Sequence, residues 1–388
     1  MTPRERAQHR SGWRCREKSW RRGMVLLAMM TAVGCARRDG IDGGTAGGIG
    51  AVSWAERWVL AHRGASGYRP EHSRAAYELA IAQGADFIEP DVVPTRDGVL
   101  IVRHEGELSL TTDVAARFPD RRREKQIDGR LQVGWFSEDF TLAEIKSLRV
   151  RQAMPTLRDT SFDGQFEVLT LAEVMSLAIA HSERQGRPVG LYIETKHPTY
   201  FASIGLPLQD RLLQALAAHG LPRAGVPVVI QSFEPTILRW LHARTTLPLV
   251  LLIDSEGAPY DGVAAGDPRS YRDWITPAAL REVAAFARGI GPHKGWIVPA
   301  GAGTSAVTSL IADAHAAGLW VHPWTFRREA KFVSAQYAGD VVAEMAHFFQ
   351  LGADGLFTDF PDLGVRARAQ ASGIAAANSP QGSWQNVR

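Results

Sequence analysis

The sequence predicts an α/β protein: a closed (β/α)8 barrel, the TIM barrel, with an inserted subdomain near the barrel mouth. Three observations carry this expectation. Short apolar strand-like runs alternate strictly with amphipathic helical stretches, the pattern of parallel strands joined by crossover helices. About eight such units fill roughly 310 residues, which suits a closed barrel better than an open sheet. An open doubly wound sheet would favour an early glycine-rich phosphate loop, and neither GxGxxG nor GxxxxGK[ST] occurs.

In chain order, Trp58 to Ala61 reads as the first strand, followed by a helix from about His72 to Gln83 that Gly84 ends. Phe87 to Pro94 is a strand carrying acids, and Val99 to Arg103 a second one after the turn Arg96-Asp97-Gly98. The polar, charged stretch from about Leu108 to Glu167 is too long for a simple loop and reads as the insertion. Beyond it, helices are expected over 171–183, 208–218, 236–242, 277–287, 306–317 and 341–349. The strands between them are expected over 189–193, 226–231, 247–253, 295–298, 320–325 and 355–358. No internal repeat is evident.

The flanks differ in composition from this barrel, assigned to residues 54–368. Residues 1–23 hold seven Arg and one Lys against two Glu, so +3 overall and +6 locally leaves −3 for the remainder. That balance offers no nucleic-acid surface. The basic start is followed by an uncharged apolar run of eleven residues, Met24 to Gly34. The run is too short to span a membrane as a helix and suits a signal peptide. Arg21-Arg22-Gly23-Met24-Val25 resembles a twin-arginine signal. Ala32-Val33-Gly34-Cys35 resembles a lipoprotein cleavage box, with Ala32 where that box usually has Leu. Residues 1–35 are therefore assigned as the signal, with Cys35 as the lipid site. A plain cut near Ala36 is the alternative. The expectation is an exported protein, periplasmic or anchored to a bacterial membrane by lipid, with no protein partner. Residues 36–53 read as a flexible tether, and 369–388 as a disordered tail. The only two cysteines are Cys15 and Cys35, so cysteine catalysis, zinc–thiolate sites and disulfides are excluded from the barrel.

Barrel active sites lie where strands end at the C-terminal face, and polar residues cluster at those ends. They are His62-Arg63-Gly64, Glu89 and Asp91, His104-Glu105, Glu194-Thr195-Lys196, Gln231-Ser232, His322-Pro323-Trp324 and Asp359. Glu89 and Asp91, two apart on a strand, point to one face, as do Glu194 and Lys196. Three carboxylates converging inside a barrel repel one another unless a cation neutralises them. Their oxygens suit a hard divalent ion, Ca²⁺ or Mg²⁺. An internal ion-pair lattice with Arg63 and Lys196 is the competing reading. His62 and His104, each at a strand end beside charged residues, suit acid–base work, although ligation or core packing stays open at this point. Arg63 and Lys196 can hold a phosphate. Together these residues make a phosphoryl-transfer centre.

His62-Arg63-Gly64-Ala65, Pro70-Glu71-His72 and Gly84-Ala85-Asp86-Phe87-Ile88-Glu89-x-Asp91 resemble the start of the glycerophosphodiester phosphodiesterase family. The match continues through Asp97-Gly98, His104, Leu108 and Thr111-Thr112-Asp113-Val114. Asp113–Arg121, Phe140–Leu148, Gly289–Pro292, Val321–Arg327 and Asp354–Asp362 resemble the family's longer periplasmic branch. The resemblance covers about residues 58–365. It implies a barrel enzyme that hydrolyses glycerophosphodiesters to glycerol 3-phosphate and an alcohol. It further implies His62 and His104 as the acid/base pair, and Glu89, Asp91 and Glu194 as ligands of a divalent ion, Ca²⁺ before Mg²⁺. Arg63 and Lys196 would grip the phosphate. In related enzymes the neighbouring glycerol hydroxyl is held to attack phosphorus first, giving a cyclic phosphate that water opens. Trp324, Phe326 and Phe357 are candidate walls for the glycerol or head group, with ordinary barrel packing as the alternative. His72, His293 and His322 match family strings and are assigned no chemistry. One departure is Glu105, where the family usually has Asp; it is not counted as a ligand. A phospholipase-type barrel acting on intact or lyso-lipids is the alternative function. A binding lipoprotein on an inactive barrel is disfavoured because all seven expected polar positions are present.

Overall fold

The computed structural model describes residues 57–373 except 223–225, 268 and 302. The signal, Cys35 and the tether lie outside the described residues, as does the chain beyond residue 373.

Twelve strands are described. They are β1 (Trp58–His62), β2 (Phe87–Glu89), β3 (Asp91–Pro94), β4 (Leu100–Val102), β5 (Arg123–Ile127), β6 (Arg130–Gly134), β7 (Gly190–Thr195), β8 (Val228–Ser232), β9 (Leu249–Ile253), β10 (Gly289–Pro292), β11 (Trp320–Val321) and β12 (Gly355–Thr358). Eight parallel positions run in the order β11-β10-β9-β8-β7-β2-β1-β12, with β2 and β3 sharing one position. The ends meet through single backbone bonds, Asp354 N to Val321 O at 3.1 Å, Phe357 N to Pro323 O at 3.0 Å and Phe326 N to Phe357 O at 2.9 Å. The result is a nearly closed (β/α)8 barrel, as the alternation of elements predicts.

The barrel interior is filled by Trp58, Leu60, Phe87, Tyr192, Val229, Val250 and Phe357. A larger apolar cluster lies between the sheet and the helices, which turn their apolar faces inward. Gly190 makes room for Phe87: a Cβ there would stand 2.2 Å from the ring. His322, in the same interior, bonds the Tyr192 hydroxyl through Nδ1 at 2.8 Å. Burial pushes it down to about 4, so it is a neutral packing residue.

Three local expectations change. The strand expected at Gly295–Val298 is instead a short 3-10 turn, Lys294–Trp296, capped by the His293 ring accepting from Gly295 N. The strand itself is the glycine-rich β10, which carries little apolar signal because it packs backbone against neighbours. A Cβ at Gly291 would meet Leu252 at 2.6 Å. The acidic strand is broken at Pro90 into β2 and β3, and β3 also pairs antiparallel with β4, which stands outside the ring of eight. Finally, a helix that the sequence reading omitted, Pro361–Ala371, starts at a proline and extends past residue 368.

Residues 108–167 hold a short helix, Val114–Arg117, the β5–β6 hairpin and the helix Leu142–Ser147. Asp128-Gly129 forms the two-residue hairpin turn, with φ +49° and +73°, the pairing that Asp-Gly favours.

Candidate active site

Strand register assembles the site. In the parallel ladders His62 stands opposite Glu89, Asp91 opposite Glu194, and Glu194 opposite Gln231. One layer at the C-terminal ends of four neighbouring barrel positions therefore holds an imidazole, three carboxylates and an amide. Carboxylate oxygens of Glu89, Asp91 and Glu194 lie within 4.8 Å of one another, and all three residues are buried. Burial together with repulsion from Asp91 and Glu194 pushes the Glu89 carboxyl far up. Burial also raises Glu194, which Lys196 opposes and Asp91 reinforces. For Asp91 burial acts upward too, but facing His104, His72 and Lys196 hold it well below the usual carboxylate range. Asp91 Oδ1 is buried without a hydrogen-bond partner. An orphaned oxygen and three mutually repelling acids fit a hard divalent cation, which would remove the repulsion and coordinate the orphan.

Around this cluster each charged group has a fixed partner. The backbone N–H of Arg63 donates to Glu89 Oε2 at 2.8 Å, and its guanidinium to Glu71 Oε2 at 2.9 Å. Its Nε stands 3.5 Å from Asp91. Lys196 donates to Glu194 Oε1 at 2.7 Å and stands 3.1 Å from His104 Nε2. Gln231 donates to Glu89 Oε1 at 3.2 Å.

The two histidines are held alike. His62 Nδ1 meets Asp359 Oδ1 at 2.6 Å, and His104 Nδ1 meets Glu105 Oε1 at 2.8 Å. An ionised carboxylate only accepts, so Nδ1 carries the proton in both rings and Nε2 is the basic nitrogen, which in His104 accepts from Lys196 Nζ. Burial, with Arg63 beside it, lowers His62 to about 4 against the pull of Asp359. Burial with Arg63 and Lys196 likewise lowers His104 to about 4. Both rings are neutral near pH 7 and can accept a proton. His62, Arg63, Glu89, His104, Glu194 and Lys196 open on one cavity of about 950 Å³.

Residues 62–363 match the glycerophosphoryl diester phosphodiesterase family. The chain belongs to that family. A glycerophosphodiester phosphodiesterase of Arabidopsis thaliana is 35% identical over 317 residues, covering 78% of this chain and 83% of the relative. One from Haemophilus influenzae is 31% identical over 341 residues, covering 80% and 89%. Among solved structures, a phosphodiesterase of Oleispira antarctica in complex with the product sn-glycerol-3-phosphate aligns with a TM-score of 0.52 at 20% identity, covering 80% of this chain and 96% of that one. A glycerophosphodiester phosphodiesterase of Agrobacterium tumefaciens aligns with a TM-score of 0.51 at 19% identity, covering 79% and 98%. The barrel is the fold of these phosphodiesterases.

In this phosphodiesterase Trp324 and Phe357 line the cavity, and Phe233 joins them, edge-on to Trp324 with centroids 5.7 Å apart. Phe326 does not. It is fully buried behind the sheet and packs edge-to-face on Phe348 at 4.9 Å, because it points outward from the barrel wall where Trp324 points in. The site also holds residues to which the sequence assigns no role. Asp359 stood among the strand-end polar residues without a role, yet it anchors His62, Arg158 and Arg327. Glu71 and His72 carry only a motif match in the sequence; in the fold His72 donates from Nε2 to Asp91 at 2.9 Å and Glu71 holds Arg63. His197 and Asp128 gave no signal beyond adjacency to Lys196 and an Asp-Gly turn.

Proposed function

We propose that this phosphodiesterase hydrolyses glycerophosphodiesters to glycerol 3-phosphate and an alcohol with His62 and His104 as its acid/base pair. The observation that carries the reading is the matched pair of imidazoles. Each is fixed through Nδ1 by a carboxylate and opens on the cavity that Arg63 and Lys196 share. The product bound by the Oleispira antarctica relative supports glycerol 3-phosphate as the product here. In this reading the phosphodiester anion sits against Arg63 and Lys196. The glycerol hydroxyl next to the ester loses its proton to one Nε2 as its oxygen bonds phosphorus. The P–O bond to the alcohol breaks, and the other imidazole, which takes up a proton from water when the phosphodiester anion enters beside it, gives that proton to the departing oxygen. Water then opens the cyclic phosphate with the two roles exchanged. Glu89, Asp91 and Glu194 would hold the divalent ion, calcium in preference to magnesium. When bound, that ion neutralises charge developing on the phosphoryl oxygens. The chain is further read as an exported lipoprotein anchored through Cys35.

Substitution tests these roles. His62→Ala and His104→Ala are each expected to lower kcat by about 10²- to 10⁴-fold with the unfolding midpoint little changed. Wild-type turnover in either variant would refute the acid/base pair. Glu194→Gln is expected to weaken metal binding in a calorimetric titration while the barrel stays folded; unchanged affinity would remove it from the ligand set.

A further inference from the structure

The insertion places a residue where it can act on the barrel's chemistry. Asp128, at the tip of the β5–β6 hairpin, stands over the cavity with Ile127, Arg130 and Gln132 from the same hairpin. Its Oδ2 meets His197 Nδ1 at 2.5 Å. The other ring nitrogen of His197, Nε2, meets Glu105 Oε2 at 3.3 Å. The second oxygen of Glu105 is the one that holds His104 Nδ1, at 2.8 Å. Four side chains from three separate parts of the chain thus form one hydrogen-bonded line from the hairpin tip to the reactive imidazole.

The chemistry of the line fixes its protons. His197 lies between two carboxylates, which only accept, so both of its nitrogens must donate and the ring is an imidazolium. Burial alone would favour the neutral ring, but Asp128 and Glu105 raise it to about 9. A cation there pins one oxygen of Glu105 and leaves the other to orient His104. Without Asp128 the imidazolium loses a partner, and Glu105, whose side chain is 41% exposed, is free to swing into solvent. The backbone supports the arrangement: Asp128 and His197 both sit in the left-handed region, at φ +49° and +48°. The hairpin is braced midway along β5 by Lys125, which donates to Glu138 and Asp139 at 2.8 and 2.7 Å.

We infer that Asp128 and His197 are positioning residues that act through Glu105 to hold His104 in its reactive orientation, so that the inserted hairpin forms part of the catalytic apparatus. This rests on the proposed role of His104. The test is a double-mutant cycle with the purified, metal-loaded full chain hydrolysing glycerophosphocholine. Asp128→Asn, which keeps size and tolerates the left-handed backbone, and His197→Gln are each expected to lower kcat about tenfold while KM moves less than about twofold. In the His104→Ala background the same substitutions are expected to have no further effect on residual turnover, because the group they position is gone. Equal losses in both backgrounds, or an unchanged kcat in both single variants, would overturn the inference. Thermal unfolding of each variant separates a folding defect from a positioning defect, since a misfolded fraction lowers turnover by the same factor whether or not His104 is present. If His104→Ala itself retains wild-type turnover, the failure lies with the proposed acid/base pair and not with the hairpin.

Discussion

Asp359 binds three side chains at once: His62 through Oδ1, and Arg158 at 2.6 Å and Arg327 at 2.8 Å through Oδ2. The two arginines keep it ionised despite full burial, holding it well below the usual carboxylate range. Its charge therefore serves both catalysis and stability. Asp359→Asn is expected to lower kcat, since an amide can present its N–H to His62 and favour the wrong tautomer. It also leaves two cationic groups short of their buried counter-charge, a loss of about 3–5 kcal/mol. Kinetics and denaturant unfolding of one preparation check both; an unchanged unfolding free energy would contradict this account of Asp359. Residues of this scale were legible where chemistry is local. Glu89, Asp91, Glu194, His62 and His104 each pair a telling residue type with a strand end. The partners were not, because Arg158 lies 201 residues from Asp359 and belongs to the insertion. Phe326 failed for a different reason. Once Trp324 is assigned inward, strand alternation would also put Phe326 inward, but the chain is no longer a regular strand after Val321.

At the scale of elements, alternation of apolar runs located every barrel strand but β10, where glycines remove the apolar signal. The parallel register then determines the site, and register could not be read from the sequence alone. Pro90 splits the acidic strand, yet Asp91 still faces Glu194 because β3 continues the ladder to β7. The β5–β6 hairpin docks onto the barrel through a titratable contact, which gives a pH prediction. His197 is raised to about 9 in the folded chain from an ordinary value of about 6.5 by its contacts with Asp128 and Glu105. A raised histidine stabilises the fold fully below about pH 6.5, and that contribution is lost as pH rises through about 9. Allowing for partial exposure, it amounts to about 1–3 kcal/mol. The unfolding midpoint of the wild type is expected to fall across this window, and that of Asp128→Asn to fall less. Parallel pH profiles would contradict the contact.

For the whole molecule, charge separates two regions: a basic N-terminal stretch, residues 1–23, and a remainder of net −3. The family match begins at residue 62, well after that stretch. If Cys35 carries a lipid, Cys35→Ser is expected to move the protein from the membrane fraction to the soluble fraction on cell fractionation. An unchanged distribution would remove the lipid anchor. Such a tether would bring the barrel near membranes, where both water-soluble glycerophosphodiesters and intact lipids are available, so substrate class is the central question. The cavity of about 950 Å³ is where either class of substrate would have to bind. The most direct test is release of glycerol 3-phosphate from glycerophosphocholine and glycerophosphoethanolamine, before and after chelation, with calcium or magnesium returned. The proposed activity requires release from both substrates, its loss on chelation, and its recovery with calcium. No release from either, with lysolipid or inositol lipid cleaved instead, would contradict it.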